Sequence, residues 1–124
     1  MVQKFQVEGY EAFKAKVEEL AKGDKDVFVL FSGSKDSNGE SWCPDCVVAY
    51  PVIQDCLKTV SDEASFLYVE VGDRTFWKDP KCIFRTETET KLKSVPTLVK
   101  WGTPERLEEG QCADRNLVNM LFEE

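Results

Sequence analysis

The chain has 124 residues, a formal charge of −7, five cysteines and no histidine. That length fits one domain with one packed core, spanning the whole sequence. The acidic balance argues against nucleic acid or an anionic membrane as partner, because phosphate-bearing surfaces are bound by basic ones. With no histidine, neither His-assisted catalysis nor a His-ligated metal site is possible within the chain. Apolar runs are strand-sized, too short to span a bilayer. The stretch from Met1 to Glu8 lacks the apolar centre of a signal peptide. The expectation is therefore a soluble, cytoplasmic, monomeric protein.

Phe5 and Val7 alternate with polar neighbours, as in a short strand. Tyr10, Phe13, Val17 and Leu20 recur three or four apart, so a helix is predicted over 9–22, with Gly23 as its stop. Val27 to Phe31 is an unbroken apolar run rich in β-formers, the pattern of a strand buried on both faces. The polar loop from Ser32 to Ser41 contains two glycines but lacks the Lys-Ser/Thr of a phosphate loop, and that reading is rejected.

Trp42-Cys43-Pro44-Asp45-Cys46 follows the loop, and a helix is predicted from about Cys43 to Val60, kinked at Pro51. A Cys-x-x-Cys pair between a strand and a helix is the sequence form of a thiol–disulfide redox centre. The spacing brings the second sulfur one turn below the first, close enough to form a disulfide. A zinc site would need four ligands, and neither a second Cys-x-x-Cys nor a histidine is present. Cys56, Cys82 and Cys112 read as small buried hydrophobes or incidental thiols.

Phe66 to Val71 is the next predicted strand. Gly72 to Lys78 reads as a loop carrying an exposed-looking Phe76-Trp77 pair. Asp79-Pro80 reads as a helix start, with Asp as cap and Pro in the first position. The stretch from Thr86 to Lys91 looks solvated. Pro96 to Trp101 is a strand that returns through Arg106 and Leu107 as a hairpin. Leu117, Val118, Met120, Leu121 and Phe122 complete a C-terminal amphipathic helix. The order βαβαβαββα predicts an α/β fold, a mixed sheet with helices on both faces.

That order, with Trp-Cys-x-x-Cys at a strand–helix junction, resembles the thioredoxin fold. Pro51 lies where thioredoxins have their helix proline, Val95-Pro96-Thr97 resembles their cis-proline segment, and Gly102 falls where they have a glycine in the last hairpin. A closer similarity is to the family of the 14-kDa thioredoxin-related protein (thioredoxin domain-containing protein 17). It is carried by Phe31-Ser-Gly-Ser-Lys-Asp, Ser41-Trp-Cys-Pro-Asp-Cys, Trp77-Lys-Asp-Pro, Val95-Pro-Thr-Leu, Gly102-Thr-Pro and Asn116-Leu-Val-Asn-Met-Leu-Phe. The resemblance implies a cytosolic disulfide reductase with no bound cofactor, recharged by NADPH through thioredoxin reductase. Its implied substrates are cystine-like small disulfides and selected protein disulfides or persulfides. The chain departs from ordinary thioredoxin at three places. Pro-Asp replaces Gly-Pro between the cysteines. Leu30 stands where thioredoxins bury an aspartate. Several extra residues precede Trp42.

The site predicted on these grounds has Cys43 as nucleophile, activated at a helix N-terminus, and Cys46 as the resolving thiol. Trp42, Pro44, Asp45, Val95 and Pro96 support it. Asp45 is expected to stand in for the missing buried acid and relay the Cys46 proton. The 33–41 loop is expected to overhang the dithiol. The alternative is a thioredoxin-fold adaptor with little turnover, which would have no use for two intact sulfurs.

Overall fold

In the computed structural model, which describes residues 2–123, five strands form one mixed sheet in the order β1-β3-β2-β4-β5. They are β1 (Gln3–Glu8), β2 (Val27–Ser32), β3 (Ser65–Glu70), β4 (Thr97–Lys100) and β5 (Arg106–Glu108). β1 and β2 each run parallel to β3, whereas β4 is antiparallel to both β2 and β5. The helices are α1 (Tyr10–Ala21), α2 (Pro44–Leu57), α3 (Arg74–Lys78), α4 (Ile83–Thr86) and α5 (Arg115–Phe122). A 3-10 turn occupies Glu109–Ala113.

The central strand β2 is buried along its whole length, as a strand covered on both faces must be. Its side chains alternate between two cores, because successive residues of a strand point to opposite faces. Val27, Val29 and Phe31 join α1, α3 and α4 through Phe13, Val17, Trp77 and Phe84. Phe28 and Leu30 join α2 and α5 through Ile53, Leu57, Val118 and Phe122. The α/β sandwich with helices on both faces is therefore observed as expected.

The differences from expectation are local. α2 stops at Leu57, three residues before the predicted end. The amides of Lys58, Thr59 and Val60 bond back to Asp55, Cys56 and Leu57, so the chain tightens into three-residue turns, and the Thr59 hydroxyl also bonds the Cys56 carbonyl. Pro51 lies inside the helix, as expected. α1 ends on Lys22 in ordinary right-handed geometry, and Gly23 adopts no left-handed cap.

Between β3 and β4 the sequence reading misplaces a boundary. The predicted 72–78 loop holds helix α3, capped by Asp73, whose carboxylate accepts the Phe76 amide. Asp79 does not start a helix: it ends α3, and α4 begins after Cys82. The Asp79 carboxylate accepts the Lys81 amide and its carbonyl accepts the Cys82 amide, a turn built on the same residue types as a helix cap. The supposed pair also divides, with Trp77 3% and Phe76 47% exposed. Thr90, within the stretch expected to be solvated, is buried, and its hydroxyl donates to the Phe84 carbonyl. Met120 lies on the outer side of α5 and is exposed.

Phe13 centres one core, with ring centroids 5.2 Å from Phe31, 5.5 Å from Trp101 and 5.6 Å from Tyr10, all edge-on. Truncating a fully buried aromatic leaves a cavity that the packed neighbours cannot fill. Phe13→Ala is expected to lower unfolding free energy by about 3–5 kcal/mol in urea titration. A loss below about 1 kcal/mol would show that this cluster is not the packing centre.

Candidate functional site

The dithiol lies at the C-terminal ends of the parallel strands, where β2 runs through the 33–42 loop into α2. Pro44 takes the first position of α2, where a missing N–H costs nothing and a fixed φ fits the helix. Cys43 is the N-cap, and its sulfur accepts the Cys46 backbone N–H at 3.2 Å. This is the role that Ser or Asp commonly fills at a helix start. Ser41 Oγ accepts the Cys43 amide at 3.2 Å. Cys43 and Cys46 are each 3% exposed, and all five cysteines are free thiols.

Two contacts lock this segment to neighbouring loops. Trp42 Nε1–H donates to the Gly72 carbonyl at 2.9 Å. Gly33 lies flat under the indole, where a Cβ would sit 2.6 Å from Trp42 Cε2. Ser34 adds to the tie: its amide donates to the Gly72 carbonyl, and its hydroxyl accepts the Gly72 amide. On the other side, the Val95–Pro96 peptide is cis, and the Cys43 thiol donates to the Val95 carbonyl at 3.5 Å. All seven residues predicted for the site thus fall in one place, although Asp45 faces solvent.

The two sulfurs behave as one acid. Their hydrogen-bonding contact is the leading influence on both, pushing the Cys43 thiol up and drawing Cys46 down. Burial adds to the rise at Cys43 and opposes the fall at Cys46, and donors on Ser32, Gly33 and Ser41 deepen that fall. The Cys46 amide works the other way at Cys43, and the Asp45 charge raises it further. The expected depression of Cys43 by its helix position is therefore outweighed by the neighbouring sulfur. In physical terms the pair titrates together: the contact eases loss of the proton at Cys46 and hinders it at Cys43.

Access separates the sulfurs. A groove of about 440 Å³ opens on Cys43 and not on Cys46. Trp42, Pro44, Asp45, Trp77, Ser94 and Val95 line it, with Arg74, Lys78, Arg85, Lys93 and Glu109 around them. No residue from 33 to 41 contributes, so the loop does not overhang this face of the dithiol as expected. It packs behind the site instead, through Gly33 and Ser34. Arg85 lies over the Trp77 ring at 4.7 Å, and its buried Nε–H has no acceptor among the described residues. An unpaired buried donor of this kind costs about 1–3 kcal/mol.

Sequence reasoning missed Ser32, Tyr68 and the basic wall. Ser32 and Tyr68 are buried, and their hydroxyls lie 3.3 Å apart. Burial pushes the Tyr68 phenol up, which keeps it protonated and able to donate to Ser32. Leu30, two residues earlier on the same face of β2, is an apolar core residue. The polar neighbours of Cys46 are thus hydroxyls and an amide, and Asp45 acts on Cys43 and is not among the leading influences on Cys46. The signal for the basic wall was present: Arg74, Lys78, Lys81 and Arg85 form a locally basic run in an acidic chain.

Fold and site together define a thioredoxin-fold protein with a buried dithiol. Comparisons agree. The structure aligns with reduced thioredoxin pre-protein from Schistosoma mansoni at a TM-score of 0.60 and 17% identity, covering 98% of this chain and 99% of that one. It aligns with oxidised thioredoxin O1 from Arabidopsis thaliana at 0.61 and 21%, again covering 98% and 99%. Residues 6–124 match the model of the thioredoxin domain-containing protein 17-like thioredoxin domain. The chain is 48% identical over 118 residues to thioredoxin domain-containing protein 17 of Homo sapiens, covering 95% of this chain and 93% of the relative. It is 41% identical over 99 residues to thioredoxin-like protein Clot of Arabidopsis thaliana, covering 77% and 74%. The chain belongs to the thioredoxin domain-containing protein 17-like family.

Ser32→Ala removes a donor that favours the charged form of Cys46, so the first proton of the pair should leave at higher pH. The iodoacetamide-reaction profile is expected to move upward by about one pH unit, the low end of ~1.5–3 kcal/mol for a hydrogen bond to a charged group at about 1.36 kcal/mol per unit. An unmoved midpoint would remove Ser32 from the electrostatics of the pair.

Proposed function

We propose that this protein is a cytosolic thiol–disulfide reductase acting on cystine-like small disulfides and selected protein disulfides or persulfides. The observation that carries the reading is the arrangement of the sulfurs: two free thiols lie together at a helix start, and only Cys43 opens on a groove. Cys43 is the nucleophile. As it attacks, its proton passes to Cys46 across the shared contact. The substrate S–S bond breaks, one half leaves as thiolate and takes a proton from water, and the other half stays joined to Cys43. Cys46 then loses its proton and attacks the Cys43 sulfur. A Cys43–Cys46 disulfide forms, and the second thiol leaves with that proton. The substrate gains two electrons and the protein loses two.

Trp42 and Pro44 hold the attacking sulfur in place, and the Val95 carbonyl beside it orients the thiol before attack. Pro96 fixes that carbonyl's segment. No cofactor is bound: NADPH supplies the electrons through thioredoxin reductase, which reduces the Cys43–Cys46 disulfide. The monomer is the working unit. Among the described residues no helix is long and apolar enough to cross a membrane, and no group of three or more His, Cys, Asp or Glu side chains could hold a metal ion.

The test follows NADPH oxidation with thioredoxin reductase and cystine. Turnover should vanish in Cys43→Ser. Cys46→Ser should stall after one event, with a cysteine adduct on Cys43 visible by mass spectrometry. Turnover that survives Cys43→Ser would overturn the assignment of the nucleophile. No turnover by the intact dithiol would favour the adaptor role.

A further inference from the structure

The groove over Cys43 has the opposite charge to the protein that contains it. The chain carries −7, yet Arg74, Lys78, Arg85 and Lys93 open on this groove against only Asp45 and Glu109. None of these four cations has an ion-pair partner among the described residues, whereas Lys14, Lys25 and Arg115 elsewhere on the surface do. Scattered cations on a solvated face need no explanation. Four unpaired ones around a reactive sulfur in an acidic protein do.

Arg85 is the informative member. Its guanidinium rests on the Trp77 face at 4.7 Å, and Trp77 is 3% exposed, so the platform is rigid. Cation–π stacking accounts for the position of the guanidinium plane. It leaves the terminal N–H groups without a hydrogen-bond partner among the described residues, whereas the unpaired Nε–H is buried and closed to the groove. A guanidinium seated on an aromatic ring, with its terminal N–H groups unpaired, fits a carboxylate held by charge-assisted hydrogen bonds. Lys93 is a further unpaired cation of the same groove, two residues before Val95, whose carbonyl accepts the Cys43 thiol.

We propose that this wall is an anion subsite: Arg85, seated on Trp77 and assisted by Lys93, receives the carboxylate of a disulfide substrate while Cys43 attacks its sulfur. The proposal rests on the reductase reading and names its substrate class, small disulfides bearing a carboxylate near the sulfur. The subsite is a local exception to the field of the molecule. Net charge alone would repel an anion, so a preference for anions can arise only from the groove.

The experiment separates the proposal from the reading beneath it. The fully reduced protein is mixed with 3,3′-dithiodipropionate or with neutral bis(2-hydroxyethyl) disulfide. Oxidation of Cys43 and Cys46 is followed by stopped-flow tryptophan fluorescence, and each rate constant is divided by that of dithiothreitol with the same disulfide. The normalised anionic-to-neutral ratio should be about tenfold, the lower end of what charge focusing in a cleft gives, and should shrink as salt rises. Arg85→Met and Lys93→Met should each reduce that ratio. Lys100→Met, which removes the same charge outside the groove, should leave it intact. Circular dichroism would establish that each variant is folded, and Arg85→Lys should fall between wild type and Arg85→Met. A wild-type ratio of one or less overturns the subsite while leaving the reductase standing, as does a high ratio that neither groove variant lowers. Failure of both disulfides to oxidise the protein overturns the reductase reading itself.

Discussion

Burial of β2 on both faces is the constraint on which the rest of the molecule depends. Once both sides of the strand are covered, no residue can change face without exposing an entire apolar set. Val29 and Phe31 are committed to the α1 side, and Leu30 and Ser32 to the α2 side. That alternation delivers a hydroxyl at Ser32, and not a methyl group, to a place within hydrogen-bonding reach of Cys46, which itself packs into the α1-side core. Its pairing with β3 brings Tyr68 opposite Leu30 on the same face, within hydrogen-bonding distance of Ser32. The polar surroundings of the Cys46 sulfur are thus a consequence of register.

The site itself is held by loops fastened to one another. The indole N–H of Trp42 and the amide of Ser34 both meet the Gly72 carbonyl, so the segment before the dithiol and the segment before α3 move together. Gly33 is required by close approach: any side chain there would collide with the Trp42 ring. Helix α3 follows at once and carries Trp77 inward while Phe76 stays outside. The loop that braces the segment before Cys43 therefore also leads into the helix that supplies the platform for Arg85.

Much of this was legible in the sequence. The apolar run at 27–31, the 3.6-residue rhythm of α1 and the Cys-x-x-Cys between strand and helix each state a local rule that the fold obeys. Reading failed where one residue type serves two geometries. Asp79 before Pro80 has the form of a helix cap, yet an Asp side chain closes a turn through the same bond to an amide two residues on. Asp73, which does cap a helix, was hidden because α3 is only five residues long and too short to show periodicity. The basic wall showed in the sequence only as a local run from Arg74 to Arg85, without its place beside the dithiol. Arg74, Lys78, Arg85 and Lys93 come from three segments of chain, and only the packing of α3 and α4 against the sheet gathers them.

That gathering raises the question of what the positive charge acts on. Cations near a thiol usually lower its pKa and make it a better nucleophile. Here the leading influences on Cys43 are its partner sulfur, burial, the Cys46 amide and Asp45, and no groove cation stands among them. The charge state of the dithiol is set from behind, by Cys46 and the groups around it, while the wall stands on the open side where a substrate arrives. On the proposed reading, thiol activation and substrate recognition are built from different residues. A change at Arg85 can alter which disulfide is taken without altering how the two sulfurs share their proton. A change at Ser32 can do the reverse. Such separation lets one fold keep a fixed exchange chemistry while its groove sets the substrate.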